Sequence, residues 1–156
     1  MVKKVHLDTP LAELTLRKYE KPHTLQGREL VKKLLLSLGL LQPGDSRDVI
    51  VDLFLVLLEE QDPLTSEKIR QRVEERRKET GLSLVGITGS NIRRQLKRLR
   101  EAFLVEKVAA RYRILEGESL SNLFEEKVET YLLSSITERI KLYLKKVDEH
   151  FGRNSG

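Results

Sequence analysis

The chain has no cysteine and no tryptophan among its 156 residues. Without cysteine there are no disulfides, no thiolate metal ligands and no thiol nucleophile, and the usage fits a reducing cytoplasm. Aromatic residues are only 5% of the total, so any core has to be aliphatic, built from Leu, Ile and Val. No apolar run approaches the ~18 residues of a membrane span. The opening MVKKVHLDTP lacks the apolar centre of a secretory signal, so neither membrane association nor export is expected. Histidines are few and scattered: His6, His23 and His150 share no metal-binding spacing, and Gly86 and Gly89 do not make a phosphate loop. The expectation is therefore no enzyme, no metal and no cofactor. Asp48 with Asp52, and Glu59 with Glu60, come nearest to a metal-ligand pattern, and read better as a solvated helix face.

What the chain does have is charge. Lys, Arg, Asp and Glu make up 34% of the residues, against an average of about 25%. With few Asn and Gln and no Cys, that balance resembles thermophile usage, and an archaeal or bacterial thermophile is the expected source. The net charge is +5, and its distribution says more than its size. Between Ser66 and Arg113 fourteen Lys and Arg stand against six Asp and Glu, a surplus of eight, which leaves the remainder at −3. Positive charge concentrated in one third of a chain is the footprint of a polyanion partner.

Taken in order, Thr9-Pro10 reads as the start of a short helix over 11–20, stopped ahead of Pro22. Thr24 is placed to cap a second helix over 25–39, with Leu30, Val31, Leu34, Leu35 and Leu38 as its stripe and Gly39 as its stop. Leu40 and Leu41 extend the burial. Gln42-Pro43-Gly44 marks a boundary, giving an N-terminal helical extension over 1–44. Asp45 then caps a third helix, Asp48 completing a capping box; its broad stripe of Val49, Ile50, Leu53, Phe54, Leu57 and Leu58 predicts the buried centrepiece of a small domain. Thr65 caps a fourth helix, 66–80, with Ile69 and Val73 inward and solvated, highly charged last turns. Leu82, Leu84, Val85 and Ile87 of the following connector are expected to tuck into the core.

The stretch Thr88–Leu104 combines an apolar face with a cationic one. Ile92, Leu96, Leu99 and Phe103 recur at helical spacing, Arg93, Arg94, Lys97, Arg98 and Arg100 cover much of the remainder, and Ser90 and Asn91 open the first turn. Such a helix can enter a DNA major groove, with arginines on phosphates and Ser90 and Asn91 on base edges. Arg100 equally suits a pairing with Glu101 or Glu106. Residues 105–115 alternate as two short strands turning near Ala109-Ala110, without the Asn-Gly or Asp-Gly that favours a tight hairpin. Arg111 and Arg113 lie on that hairpin, and Lys68 and Arg72 on the preceding helix are placed to clamp a phosphate backbone. From Ser119 to Phe151 runs the longest periodic segment. Phe124, Val128, Leu132, Ile136, Ile140, Tyr143, Val147 and Phe151 form a stripe suited to pairing with a second copy, the alternative being packing within the chain or a break near Ser134-Ser135.

This order of parts resembles the winged helix-turn-helix domain of prokaryotic and archaeal transcriptional regulators of the broad MarR, PadR and ArsR kind. The resemblance rests on PLTSEKIRQRV and on ITGSNIRRQLKRLREAFLVEKV; Phe103 stands where many such proteins have Gly. It implies a mainly α fold of three helices plus a β-hairpin wing over 45–116, with a long C-terminal dimerisation helix over 117–156. It also implies double-stranded DNA binding by a homodimer, the recognition helix 89–103 in the major groove and the wing 105–115 on the backbone or minor groove. A winged helix serving as a protein–protein module in a transcription, replication or chromosome-segregation assembly is the competing expectation. Nothing in the pattern names a small-molecule effector.

Overall fold

A computed structural model describes residues 7–153 of the chain. The described residues divide into two compact units, one of Thr15–Leu123 and one of residues 7–14 with 124–153. The protein is mainly helical, with one small three-stranded antiparallel sheet.

In the larger unit the elements run α1 (Gly27–Ser37), α2 (Val49–Glu59), β1 (Leu64–Thr65), α3 (Ser66–Glu79), α4 (Gly89–Glu101), β2 (Val105–Val108) and β3 (Arg111–Ile114), then a 3-10 turn Leu115–Gly117 and a short α5 (Leu120–Leu123). The core forms around α2, because its sequence leaves no polar face: every residue from Val49 to Leu57 is buried. Around it close Val31 and Leu35 of α1, Leu40 and Leu41 just beyond, Ile69 and Val73 of α3, and Ile92, Leu96 and Leu99 of α4. Fully burying one such side chain stabilises by about 1.5–3 kcal/mol before the entropy of ordering it is set against it. The sheet has the order β1-β3-β2. Val105 pairs with Ile114 and Val108 with Arg111 across the hairpin, and Leu64 pairs with Tyr112, so β3 is the central strand. β1 was not expected; two residues are too few to show a period.

Two helix starts differ from expectation. No helix forms over 11–20. Residues from Thr15 to Pro22 instead run as an irregular strap against the C-terminal end of α1. The Arg17 backbone N–H donates to Ser37 O at 2.8 Å, and its guanidinium donates to Leu36 O at 2.8 Å, Leu41 O at 3.3 Å and Gln42 Oε1 at 3.0 Å. The last carbonyls of a helix lack partners of their own, and here a distant arginine supplies donors. Gly39, at φ +73°, completes the same end: Leu40 N–H bonds back to Leu35 O and Gly39 N–H to Leu36 O. A Cβ at Gly39 would lie 2.6 Å from Thr15 O, so the strap fits only against glycine. Thr24 does not cap α1, which begins at Gly27 behind Gln26.

The other differences have one cause each. Asp45 does not cap α2; it accepts the Arg47 backbone N–H at 2.9 Å, and Asp48 occupies the cap position with its carboxylate turned into the core. The last turns of α3 are not wholly solvated, because Arg77 is buried there. Of the connector, only Ile87 enters the core; Leu84 and Val85 are exposed and Leu82 is half-buried.

In the smaller unit, Phe124–Leu133 is π-helical and α6 spans Ser134–His150. The change from π to α pattern falls at Ser134-Ser135, where a break was the alternative expectation. The stripe recurs every four residues from Phe124 to Ile140. Four residues overshoot an α turn of roughly 3.6, and undershoot the wider π turn, whose bonds close one residue later. The two drifts oppose each other, so the mixed helix keeps the stripe straighter than a pure α-helix would.

Candidate nucleic-acid interface

α4 begins where expected. Thr88 Oγ1 accepts the Asn91 backbone N–H at 3.2 Å, and Ser90 Oγ lies 3.3 Å from Thr88 Oγ1. Ile92, Leu96 and Leu99 are fully buried, while Ser90, Arg93, Arg94, Lys97 and Arg100 are exposed on the opposite side. Arg93 and Arg100 have no ion-pair or hydrogen-bond partner among the described residues; Arg100 pairs with neither Glu101 nor Glu106. Lys97 has a loose contact of 3.9 Å to Glu101, which is worth little at an exposed site. Along this face the helix presents cations that the fold itself does not use.

The remaining sequence-predicted residues divide in two. Lys68, at the start of α3, and Arg111, beside the hairpin turn, are exposed and their side chains have no ion-pair or hydrogen-bond partner among the described residues. Four others are engaged. Asn91 Nδ2 donates to Gly86 O at 2.7 Å, and its Oδ1 accepts from Arg94 at 3.0 Å and from Gln95 at 3.2 Å. Arg98 is half-buried, donating to Leu40 O at 2.7 Å and Gln95 Oε1 at 2.8 Å. Arg72 is paired with Glu60, as Arg76 is with Glu59. Arg113 lies opposite Glu106 in the hairpin register and pairs with it at 3.1 Å. Sequence reasoning missed that Asn91, Gln95 and Arg98 form one polar ladder; their i, i+4, i+7 spacing was the available signal. It also missed Lys107, which sits 5.7 Å from the Tyr112 ring centroid on the hairpin.

Beneath this surface lies a buried charge cluster. Arg77 Nη1 donates to Asp52 Oδ2 at 2.5 Å and Asp48 Oδ1 at 3.1 Å, and its Nε to Ser83 O at 2.5 Å. Arg28 of α1 reaches Asp52 at 3.0 Å and Asp48 at 2.9 Å. Burial pushes the Asp48 carboxyl up, but Arg28 and Arg77 more than reverse it and hold it below the usual carboxylate range. For Arg28 burial acts downward, and Asp52 and Asp48 overcome it and raise the guanidinium above its usual value. Asp48 and Asp52 are thus neither a solvated face nor free for a metal. Among the described residues no group of three or more His, Cys, Asp or Glu side chains converges as a metal site would require, and no helix is long and apolar enough to cross a membrane.

On the smaller unit the expected dimerisation stripe is largely uncovered. Val128 is buried and Phe124, Leu132 and Ile136 are half-buried, but Ile140, Tyr143, Val147 and Phe151 are exposed, Tyr143 at 70%. No residue of α6 is buried. Compared with known proteins, the chain matches no family model, no curated protein and no solved structure.

Proposed function

We propose that the protein binds double-stranded DNA as a winged helix-turn-helix homodimer and regulates transcription. The observation that carries the proposal is the exposed cationic face of α4, on which Arg93 and Arg100 have no partner among the described residues and Lys97 only a loose one. Arg93, Arg94, Lys97 and Arg100 are exposed there over a buried seam of Ile92, Leu96 and Leu99, whereas the arginines of α3 are spent on Glu59, Glu60, Glu67, Glu74 and the buried aspartates. Three helices, α2, α3 and α4, followed by the hairpin β2-β3 support this reading. In this function α4 enters the major groove with Ser90 at its tip, Arg93, Arg94, Lys97 and Arg100 on phosphates, Lys68 on the backbone and Arg111 on the wing. Asn91 and Arg98 position α4 from within the domain. The apolar stripe of α6 supplies the second protomer, and two recognition helices roughly 34 Å apart would then meet successive major grooves.

The test is a titration of the full chain with a long mixed-sequence duplex at two salt concentrations. Affinity is expected to fall steeply with salt, because each neutralised phosphate releases a counterion. Arg93→Ala with Lys97→Ala is expected to reduce the salt slope by about 2. A slope unchanged in that double variant, or no binding at low salt, would overturn the assignment.

A further inference from the structure

We infer that the cleft between α4 and the α1–α2 connection binds a small organic anion, a carboxylate head on a short apolar body. The cleft has a volume of about 300 Å³, at the lower end of what small-ligand sites occupy. Its floor is apolar, with Leu41, Val49 and Ile50 all buried yet lining it, and its rim carries Arg47, Arg94 and Arg98 against one carboxylate, Asp45, 3.7 Å from Arg47 Nε.

Charge balance and hydrogen-bond accounting together favour an anionic ligand. Most acceptors around the cleft are engaged, and Asp45 is the one carboxylate that lines it. Leu40 O takes Arg98, Leu41 O and Gln42 Oε1 take Arg17, and Gly86 O takes Asn91. Asn91 Oδ1 takes Arg94 and Gln95, Gln95 Oε1 takes Arg98, and Asp45 Oδ1 takes the Arg47 N–H. A guanidinium carries five N–H donors and a primary amide two, so Arg94, Arg98, Asn91 and Gln95 each retain unpaired donors. A cleft with three guanidiniums against one carboxylate, and with donors to spare, favours an anion, and guanidiniums suit the fork of a carboxylate.

The donors are also fixed in place. Arg98 to Gln95, Gln95 to Asn91 and Asn91 to Gly86 O form a relay running toward the start of α4. Gly86, at φ +92°, anchors it: a Cβ there would meet Asn91 Nδ2 at 3.2 Å and Val49 Cγ2 at 3.4 Å. Donors set in advance spare a ligand part of the ordering cost of binding. The recessed apolar floor favours a free organic anion over a backbone phosphate, which carries no apolar body.

Arg94 belongs both to this rim and to the exposed cationic face of α4. Occupancy therefore draws Arg94 away from a polyanion and weakens duplex binding, a coupling that rests on the proposed DNA-binding function. The probe is hexanoate, with hexanamide as its neutral isostere, followed by amide resonances of the full chain. Hexanoate is expected to give saturable shifts at Gly86, Asn91 and Gln95. Hexanamide, and the variant Arg47→Gln with Arg94→Gln, are expected to bind at least about tenfold more weakly. Both replaced residues are exposed, so the fold is retained. No saturable shift, equal binding of hexanamide, or unchanged binding by the variant overturns the site. In a second arm, saturating hexanoate is expected to weaken duplex affinity about fivefold. Hexanoate bound with duplex affinity unchanged overturns the coupling and leaves the site standing. A chain that binds no duplex at all fails the proposed function, and the resonance arm decides the site independently.

Discussion

Asp52 stands in the middle of the most apolar helix of the chain and is fully buried. Its charge is tolerable only because Arg77 and Arg28 reach it from two other helices. Asp52→Asn leaves two guanidiniums short of a partner, and a loss of about 3 kcal/mol is expected in denaturant unfolding. Asp48 gives the same cluster a pH signature. Its carboxyl titrates lower in the folded chain than in the unfolded one, so its stabilisation is fully present above the unfolded value and disappears as pH falls through the folded one. Unfolding free energy is expected to drop below about pH 4, and Asp48→Asn is expected to flatten that part of the profile. The hairpin turn offers the opposite case. Ala109 and Ala110 both hold positive φ, at 50° and 65°, a conformation that costs a side-chain-bearing residue roughly 1–2 kcal/mol. Ala109→Asn with Ala110→Gly is expected to stabilise by about 1–2 kcal/mol, seen as a rise in Tm of several degrees, because nothing packs on that exposed turn.

α4 was the most legible segment because its two faces differ in every residue: period and cap together predicted its start, seam and cationic side. Its exit shows where legibility stopped. Phe103 adopts φ +62° in the position where glycine usually ends a helix, with Leu104 N–H bonded to Leu99 O and Phe103 N–H to Arg100 O. The departure from glycine was visible in the sequence; that the backbone would nonetheless take the left-handed turn was not. α3 carries the same kind of charge as α4 but spends it differently, since Glu59 and Glu60 at the end of α2 come within reach of Arg76 and Arg72 only once the helices pack. Arg72→Ala is therefore expected to change duplex affinity less than Arg93→Ala does, compared in one titration series at fixed salt. Equal losses from the two would mean that α3 touches the polyanion as well.

At the scale of the chain there are two compact units, a cationic domain and a helical element with an apolar stripe exposed over its C-terminal half. If that stripe joins two copies, Tyr143→Glu with Val147→Glu is expected to halve the mass in solution by light scattering, with the far-ultraviolet spectrum of the Thr15–Leu123 unit retained. A native chain that is monomeric at micromolar concentration would remove the dimer from the proposed function. The periodicity of α2, α3 and α4, the stop at Gly39 and the placement of positive charge along the chain were settled by the amino-acid sequence alone, because each depends on residues within one or two turns of each other. Three things waited for the tertiary structure. It decided that Arg17 caps a helix end nineteen residues away instead of joining a helix of its own, that Asp48 and Asp52 face arginines instead of water, and which of the many arginines stay free. Each depends on which side chains packing brings within about 3 Å, and local spacing carries no record of that distance.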